Sequence, residues 1–520
     1  TYVPPAMMLK GNVNKGCQAQ GKASIDRAAI IARPCIACRS SSKQNPHVQT
    51  EPHSTAGKGF GAVASVNVAA PADYSNNNPG HVASGAGSRL MAWMRENGAP
   101  AQGLTLRSPN AYLPDGQSRP IDMVVAARPL KAGEKVLSVP EHLVISLERV
   151  FECEFVAELL TTDKLSEIAC LTLYLMYEKK LGKESFWEPY IKELDRQRAR
   201  GSQAVESPLL WPQEELETLL QGSNLLTTVK QRLIGIQREY EELDTVWCMS
   251  SSLFKKYPFD LPTETFSFKI FRQAFSAVQS SLVHLQGVPP SRRFALVPLG
   301  PPLLAYSSTC KALLSWDEAT RSVQLTVDRD YVQGEPIKAW CGPQPNSRLL
   351  LNYGLVDDNN PYDKVQLTAT LATTDPLYQA KRAALQKHSL STNQVFDLAR
   401  AKPLPPTLLP YLRLAAATTV QEVAQVSFSF VEKSSPYPEV EASIRAHLAQ
   451  HLQARTAAYR NTIEGDEAVV ANPNSSPRQK VAAQLTRIEK EILQEALKNL
   501  GEEATTATSV AQPLPFLKLD

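Results

Sequence analysis

Apolar and polar positions change period several times along this chain, and each change marks an element. In "GSRLMAWMRENGA" (87–99), Leu90, Met91 and Met94 share one face, which predicts a short amphipathic helix. "IDMVVAARPLKAGEKVLSVPEHLVIS" (121–146) predicts two strands around a Lys-Ala-Gly-Glu turn at Gly133. Helical spacing then covers roughly 149–182. Pro212 after Trp211 opens another helix, with Glu214 and Glu215 where the helix dipole favours acids. A long helix is predicted over 224–246. A further one over 263–284 has Thr263 as its N-cap and a stripe at Phe268, Phe271, Phe275 and Val278. Residues 292–342 return to short strands, and "DRDYVQGEPI" repeats the turn character of the Lys-Ala-Gly-Glu segment. From 374 onward the pattern reads as helical, with stripes at 408–416, 439–460 and 478–499. Ser476-Pro477 is a cap and first-turn pair. Strands and helices do not alternate, so the class is α+β rather than doubly wound α/β.

The ends of the chain have a different composition. Residues 1–72 hold eight Lys or Arg and two acids, Asp26 and Glu51, within a total of 55 basic and 52 acidic side chains. The remainder is close to neutral, so generic attraction to phosphate backbones is not expected. Residues 1–85 are rich in Ala, Ser, Asn and Gly without apolar periodicity, as in a transit peptide followed by a flexible leader. No uninterrupted apolar run long enough for a transmembrane helix occurs. Of the eight cysteines, only "CIAC" (35–38) forms a close pair. No second pair follows, so no metal site is expected. "RQRARG" (196–201) is basic, but no RNA-recognition or helix-turn-helix pattern accompanies it.

Several strings, in order, carry a resemblance. They are "KAGEKVLSVP" (131–140), "FWEPYIKEL" (186–194), "LLQGSNLL" (219–226), "RFALVP" (293–298), "LLLNYGLV" (349–356), "NNPYD" (359–363) and "SPRQKVAAQLTRIEKEIL" (476–493). Together they resemble the SET-domain proteins of the Rubisco large-subunit lysine methyltransferase type. The resemblance implies a split β-rich SET domain over 86–365, with a helical insert at about 150–285. An all-α substrate-binding domain over 366–500 and a disordered tail over 501–520 are expected to follow. It also implies S-adenosylmethionine as methyl donor and a lysine amine as acceptor. That amine, with a pKa of about 10.4, has to be deprotonated and held in line with the sulfonium.

Site residues follow from the same resemblance. The family's catalytic tyrosine matches Tyr353 in "LLLNYGLV". The Gly-x-Gly of its first strand, which lets the donor approach bare backbone, becomes Ile121 and Met123, beside Val124. The Asp-x-x-Asn-His string that holds the donor becomes "PPLLA" (301–305), with Leu304 and Ala305 in place of Asn and His. A second tyrosine becomes Cys341, and an Arg-Ser-Arg pattern becomes Gln279-Ser280-Ser281. The framework strings are kept while the donor contacts are lost, which points to retention of the fold without standard methyl transfer.

"FALVPLGPPLLAYSSTCKALL", "WCGPQPNSRLLLNYG" and "HLQGVPP" carry a narrower resemblance, to SET-domain proteins of the plastid transcriptionally active chromosome. It implies a place in the chloroplast stroma or nucleoid and partnership with the plastid-encoded RNA polymerase and its associated proteins. The chain is then expected to act mainly as a scaffold supporting plastid transcription. The alternative is an active protein-lysine N-methyltransferase on a plastid protein.

Overall fold

The N-terminal helix Gly85–Glu96 buries Leu90, Trp93 and Met94 on one face, as its spacing predicts. This computed structural model describes residues 85–520, apart from 100–101, 109, 113–117, 121, 161–164, 199–204, 251–266, 302, 429–437 and 502–515. Most of the leader, "CIAC", Ile121, Pro302, Thr263 and the side chains of "RQRARG" therefore lie outside the described residues.

Short strand groups build the β-rich part. Leu104–Arg107 runs antiparallel to Met123–Ala126. Lys135–Pro140 and Leu314–Asp317 flank Ser322–Thr326. Leu282–His284 pairs with Phe294–Leu296, and Ala305–Ser307 lies parallel to Lys338–Trp340. The two strands around Gly133 form as expected but do not pair with each other, because each finds a partner elsewhere.

The two similar turns meet face to face. Leu130 and Tyr331 exchange backbone hydrogen bonds at 3.0 and 3.1 Å, and Lys131 Nζ lies 2.7 Å from Asp330. Each turn has a glycine at φ +83°, Gly133 and Gly334. Each has a glutamate that accepts from the backbone N–H three residues earlier, Glu134 from Lys131 and Glu335 from Val332, both at 3.1 Å. Arg128 and Arg329 pair with those glutamates. The pattern Arg-x-x-x-x-Gly-Glu thus occurs twice, and its copies are packed together.

The helical insert includes Glu167–Leu181, Asn224–Ser250 and Phe268–Ser281. The last is shorter than the expected 263–284. Ser267 caps it, accepting from the Ile270 N–H, and the chain leaves it to pair as the strand Leu282–His284. Phe271, Phe275 and Val278 are buried, while Phe268 packs at the edge of the core.

C-terminal helices Leu408–Ala416, Pro438–Ala457 and Pro477–Leu500 follow the expected stripes. Ser476 and Gln479 form a capping box at the last of these. The region is helical but not without strands. Lys364–Leu371 lies between Asn393–Ala399 and Leu517–Leu519. In Asn393–Ala399 only Phe396 and Leu398 are deeply buried, too few alternations to stand out in the sequence. The expected disordered tail is corrected at its end, where Asp520 and Thr368 exchange backbone hydrogen bonds at 2.8 and 2.9 Å.

"LLQGSNLL" fastens the insert to these helices. Gly222 has φ +84°, and a Cβ there would sit 2.8 Å from the Tyr459 backbone, so both conformation and space require glycine. Ser223 Oγ and Tyr459 Oη each donate to the buried Glu489 carboxyl at 3.0 Å. Burial pushes Glu489 up to about 7, with Asp363 adding to the rise and Ser223, Tyr459 and Arg455 opposing it. A folded pKa above the ordinary 4.5 means that this group's contribution is complete below that value and fades as pH rises through 7. Between pH 5 and 8.5, wild type should lose on the order of 3 kcal/mol more stability than Glu489→Gln. Denaturant unfolding across that range checks this, and parallel pH profiles would refute it.

Candidate functional site

The motif positions lie in or beside five elements. Met123 and Val124 open the strand Met123–Ala126, and Ser280 lies in the last turn of Phe268–Ser281. Leu304 and Ala305 end a loop and begin the strand Ala305–Ser307. Cys341 follows Lys338–Trp340, and Tyr353 ends the helix Asn346–Tyr353, where Gly354 adopts the left-handed conformation that closes it.

The loop before Ala305 closes partly on its own backbone. Gly300 N–H donates to Val297 O at 2.8 Å, and the Leu303 and Leu304 N–H groups both donate to Gly300 O at 3.1 Å. Leu299 sits at φ 60°, uncommon for a residue with a Cβ. A Cβ on Gly300 would lie 2.7 Å from Val297 O, so this turn needs glycine there. Leu303 O accepts from the Val124 N–H at 3.1 Å, joining the loop directly to the strand Met123–Ala126. Val124 and Leu304 are each only 1% exposed and belong to the main core.

Cys341 and Tyr353 fall in a different group. With Leu349 and Leu355 they form a small cluster that Tyr306 also contacts, and Tyr306 packs on the main core as well. The rings of Tyr306 and Tyr353 lie 4.7 Å apart between centroids, tilted by 53°. Tyr306 Oη donates to Leu282 O at 2.9 Å. Tyr306 joins the two groups of motif residues, and sequence reasoning passed over it. Its signal was slight: an aromatic next to Ala305 in a strand of three residues.

The chemistry available here is subdued. Burial pushes Tyr353 up to about 12, with Gln344 opposing and Cys341 adding to the rise. Burial likewise pushes Cys341 and Cys310 up to about 12, and Tyr306 well above its usual range. All four are protonated near neutral pH, so none is a ready base or nucleophile. The thiols of Cys310 and Cys341 share one acceptor, Ser307 O, at 3.7 and 3.6 Å. The Ser280 hydroxyl turns back to Ala277 O in its own helix at 3.0 Å. Gln279 lies between Arg232, which donates to its Oε1 at 3.3 Å, and Leu351 O, which accepts from its Nε2 at 3.4 Å.

Comparison with known proteins fits this architecture. Residues 372–493 match the family described as Rubisco LSMT substrate-binding. The SET domain of LSMT bound to lysine and AdoHcy superposes with a TM-score of 0.63 at 20% identity, covering 81% of this chain and 92% of that one. Rubisco LSMT bound to sinefungin and monomethyllysine gives 0.63 at 20%, covering 83% and 94%. This chain has the SET fold of Rubisco LSMT. Actin-histidine N-methyltransferase of Mus musculus is 25% identical over 425 residues, 79% of this chain and 67% of that protein. Its counterpart in Xenopus tropicalis is 24% identical over 427 residues, 79% and 69%.

Those neighbours make S-adenosylmethionine the cofactor to test against the residues present. The donor carries an ammonium and a carboxylate that need polar partners on leaving water. Leu304 and Ala305 bring no polar side-chain atom, Ser280 and Cys341 are turned onto backbone carbonyls, and Met123 adds bulk. These positions do not fit the group, and no methyl-transfer step is assigned to them.

If Leu304 packs the core, Leu304→Ala should cost about 2–5 kcal/mol in denaturant unfolding. A loss under about 1 kcal/mol would mean that it borders open space instead.

Proposed function

We propose that this protein is a SET-fold scaffold that supports plastid transcription by docking on the plastid-encoded RNA polymerase and its associated proteins. It does so without relying on methyl transfer. The observation that carries the second statement is the burial of Leu304 within the main core, in a loop whose Gly300, Leu303 and Leu304 N–H groups have backbone partners. The family resemblance sets the donor's asparagine at that position. The chloroplast location and the polymerase partnership draw support from the transit-like leader and the narrower string resemblance. The substrate-binding family match over 372–493 supplies a helical domain suited to protein contact.

A second reading is an active S-adenosylmethionine-dependent protein-lysine N-methyltransferase with Tyr353 as catalytic residue. It draws on the aligned relatives, which are protein methyltransferases over 79% of this chain.

Tagged protein recovered from chloroplasts should carry the polymerase core subunits with it. Labelled methyl groups should not pass to any stromal fraction. Recovery without polymerase subunits would remove the scaffold role. Transfer by the wild type that vanishes in Tyr353→Phe would establish the second reading.

A further inference from the structure

A cleft of about 450 Å³ lies beside the helix Gly85–Glu96, and Tyr353 is not among its lining residues. Its lining includes Arg95 and Arg107, with Thr105, Gln333 and Gly334 among their neighbours and Met91 on the apolar side. No Asp or Glu lines it, and neither arginine makes an ion pair among the described residues. The adjacent buried carboxylate, Asp122, accepts from Ser108 Oγ and is not among the lining residues.

Arg107 has a prepared seat. A Cβ on Gly334 would fall 3.1 Å from Arg107 Nη1 and 3.3 Å from its Cζ. The guanidinium therefore rests on a residue whose missing side chain makes room for it. Gly133, the counterpart in the paired turn, has the same φ of +83° and nothing within 4 Å of its Cβ position. The two turns share conformation, so conformation alone does not account for an arginine packed on Gly334. Its amide is fixed by donation to Ala126 O at 2.8 Å.

We propose that this cleft binds a phosphomonoester through Arg95 and Arg107. Guanidinium forks match phosphate oxygens in paired hydrogen bonds, and two forks suit a dianion better than a singly charged phosphodiester. The volume falls within the range of small-ligand pockets, with room for the group that carries the phosphate. The chain's net charge is only +3, with the excess in the leader, so nothing favours a long nucleic-acid backbone here.

The test uses the full chain and calorimetric titration with inorganic phosphate, a phosphoserine peptide, its unphosphorylated form and a single-stranded oligonucleotide. Inorganic phosphate and the phosphopeptide should bind, and the unphosphorylated peptide should not. The tighter of the two phosphate probes tells a protein-borne phosphate from a small ester. Arg95→Gln and Arg107→Gln should each weaken phosphate binding by about tenfold or more. Arg107→Lys should restore part of the loss. Gly334→Ala keeps both arginines but displaces the Arg107 head, and should also weaken binding. Arg95 is exposed, so Arg95→Gln remains decisive if a strand or turn variant misfolds. Absence of phosphate binding, binding unchanged in Arg95→Gln, or tighter binding of the oligonucleotide than of the phosphopeptide would overturn the proposal.

Discussion

A segment threaded through a protein interior has to bring partners for every backbone polar group it buries. Within 294–307, several of these groups are paired with other backbone groups of the protein. Leu296 exchanges hydrogen bonds with Ile145 at 2.8 and 3.0 Å, the turn at Gly300 closes on itself, and Leu303 O takes the Val124 N–H. The segment then enters the parallel pair with Lys338–Trp340. The strand Met123–Ala126, the chain just after the last insert helix and Tyr353 each touch this passage, through the Val124 N–H, Leu282 O and the Tyr306 ring. Apolar side chains at Leu303 and Leu304 are compatible with it because both N–H groups and Leu303 O have backbone partners.

The same passage separates the motif positions into two environments. Val124 and Leu304 pack in the main core, whereas Cys341 and Tyr353 form a smaller cluster reached through Tyr306. A donor site in this fold would need polar groups facing a shared space between the two. Here the side-chain donors at Ser280 and Cys341 are turned onto backbone carbonyls, and Tyr353 is held protonated by burial. The scaffold side of the fold is well kept. In "LLQGSNLL", Gly222, Ser223 and Asn224 each make a contact with the C-terminal helices or sheet that a substitution would break.

Much of this was legible in the sequence, for identifiable reasons. Long stripes such as Pro477–Leu500 announce themselves, since cap, period and length agree. The framework strings placed the SET architecture without coordinates. Elements fixed by pairing rather than local pattern were harder to see. Asn393–Ala399 and the strand at Leu517–Leu519 exist because Lys364–Leu371 offers them edges. Tyr306 was missed because its role comes from two clusters that only the fold brings together. The start of Phe268–Ser281 was misplaced because Thr263 and Ser267 are both plausible caps by type.

The central claim is that the donor position is packed rather than open. Titration of the purified full chain with S-adenosylhomocysteine in a calorimeter addresses it most directly. No saturable heat up to millimolar ligand is the predicted result. Stoichiometric binding in the micromolar range, lost when Leu304 is replaced by a larger side chain such as phenylalanine, would contradict the account.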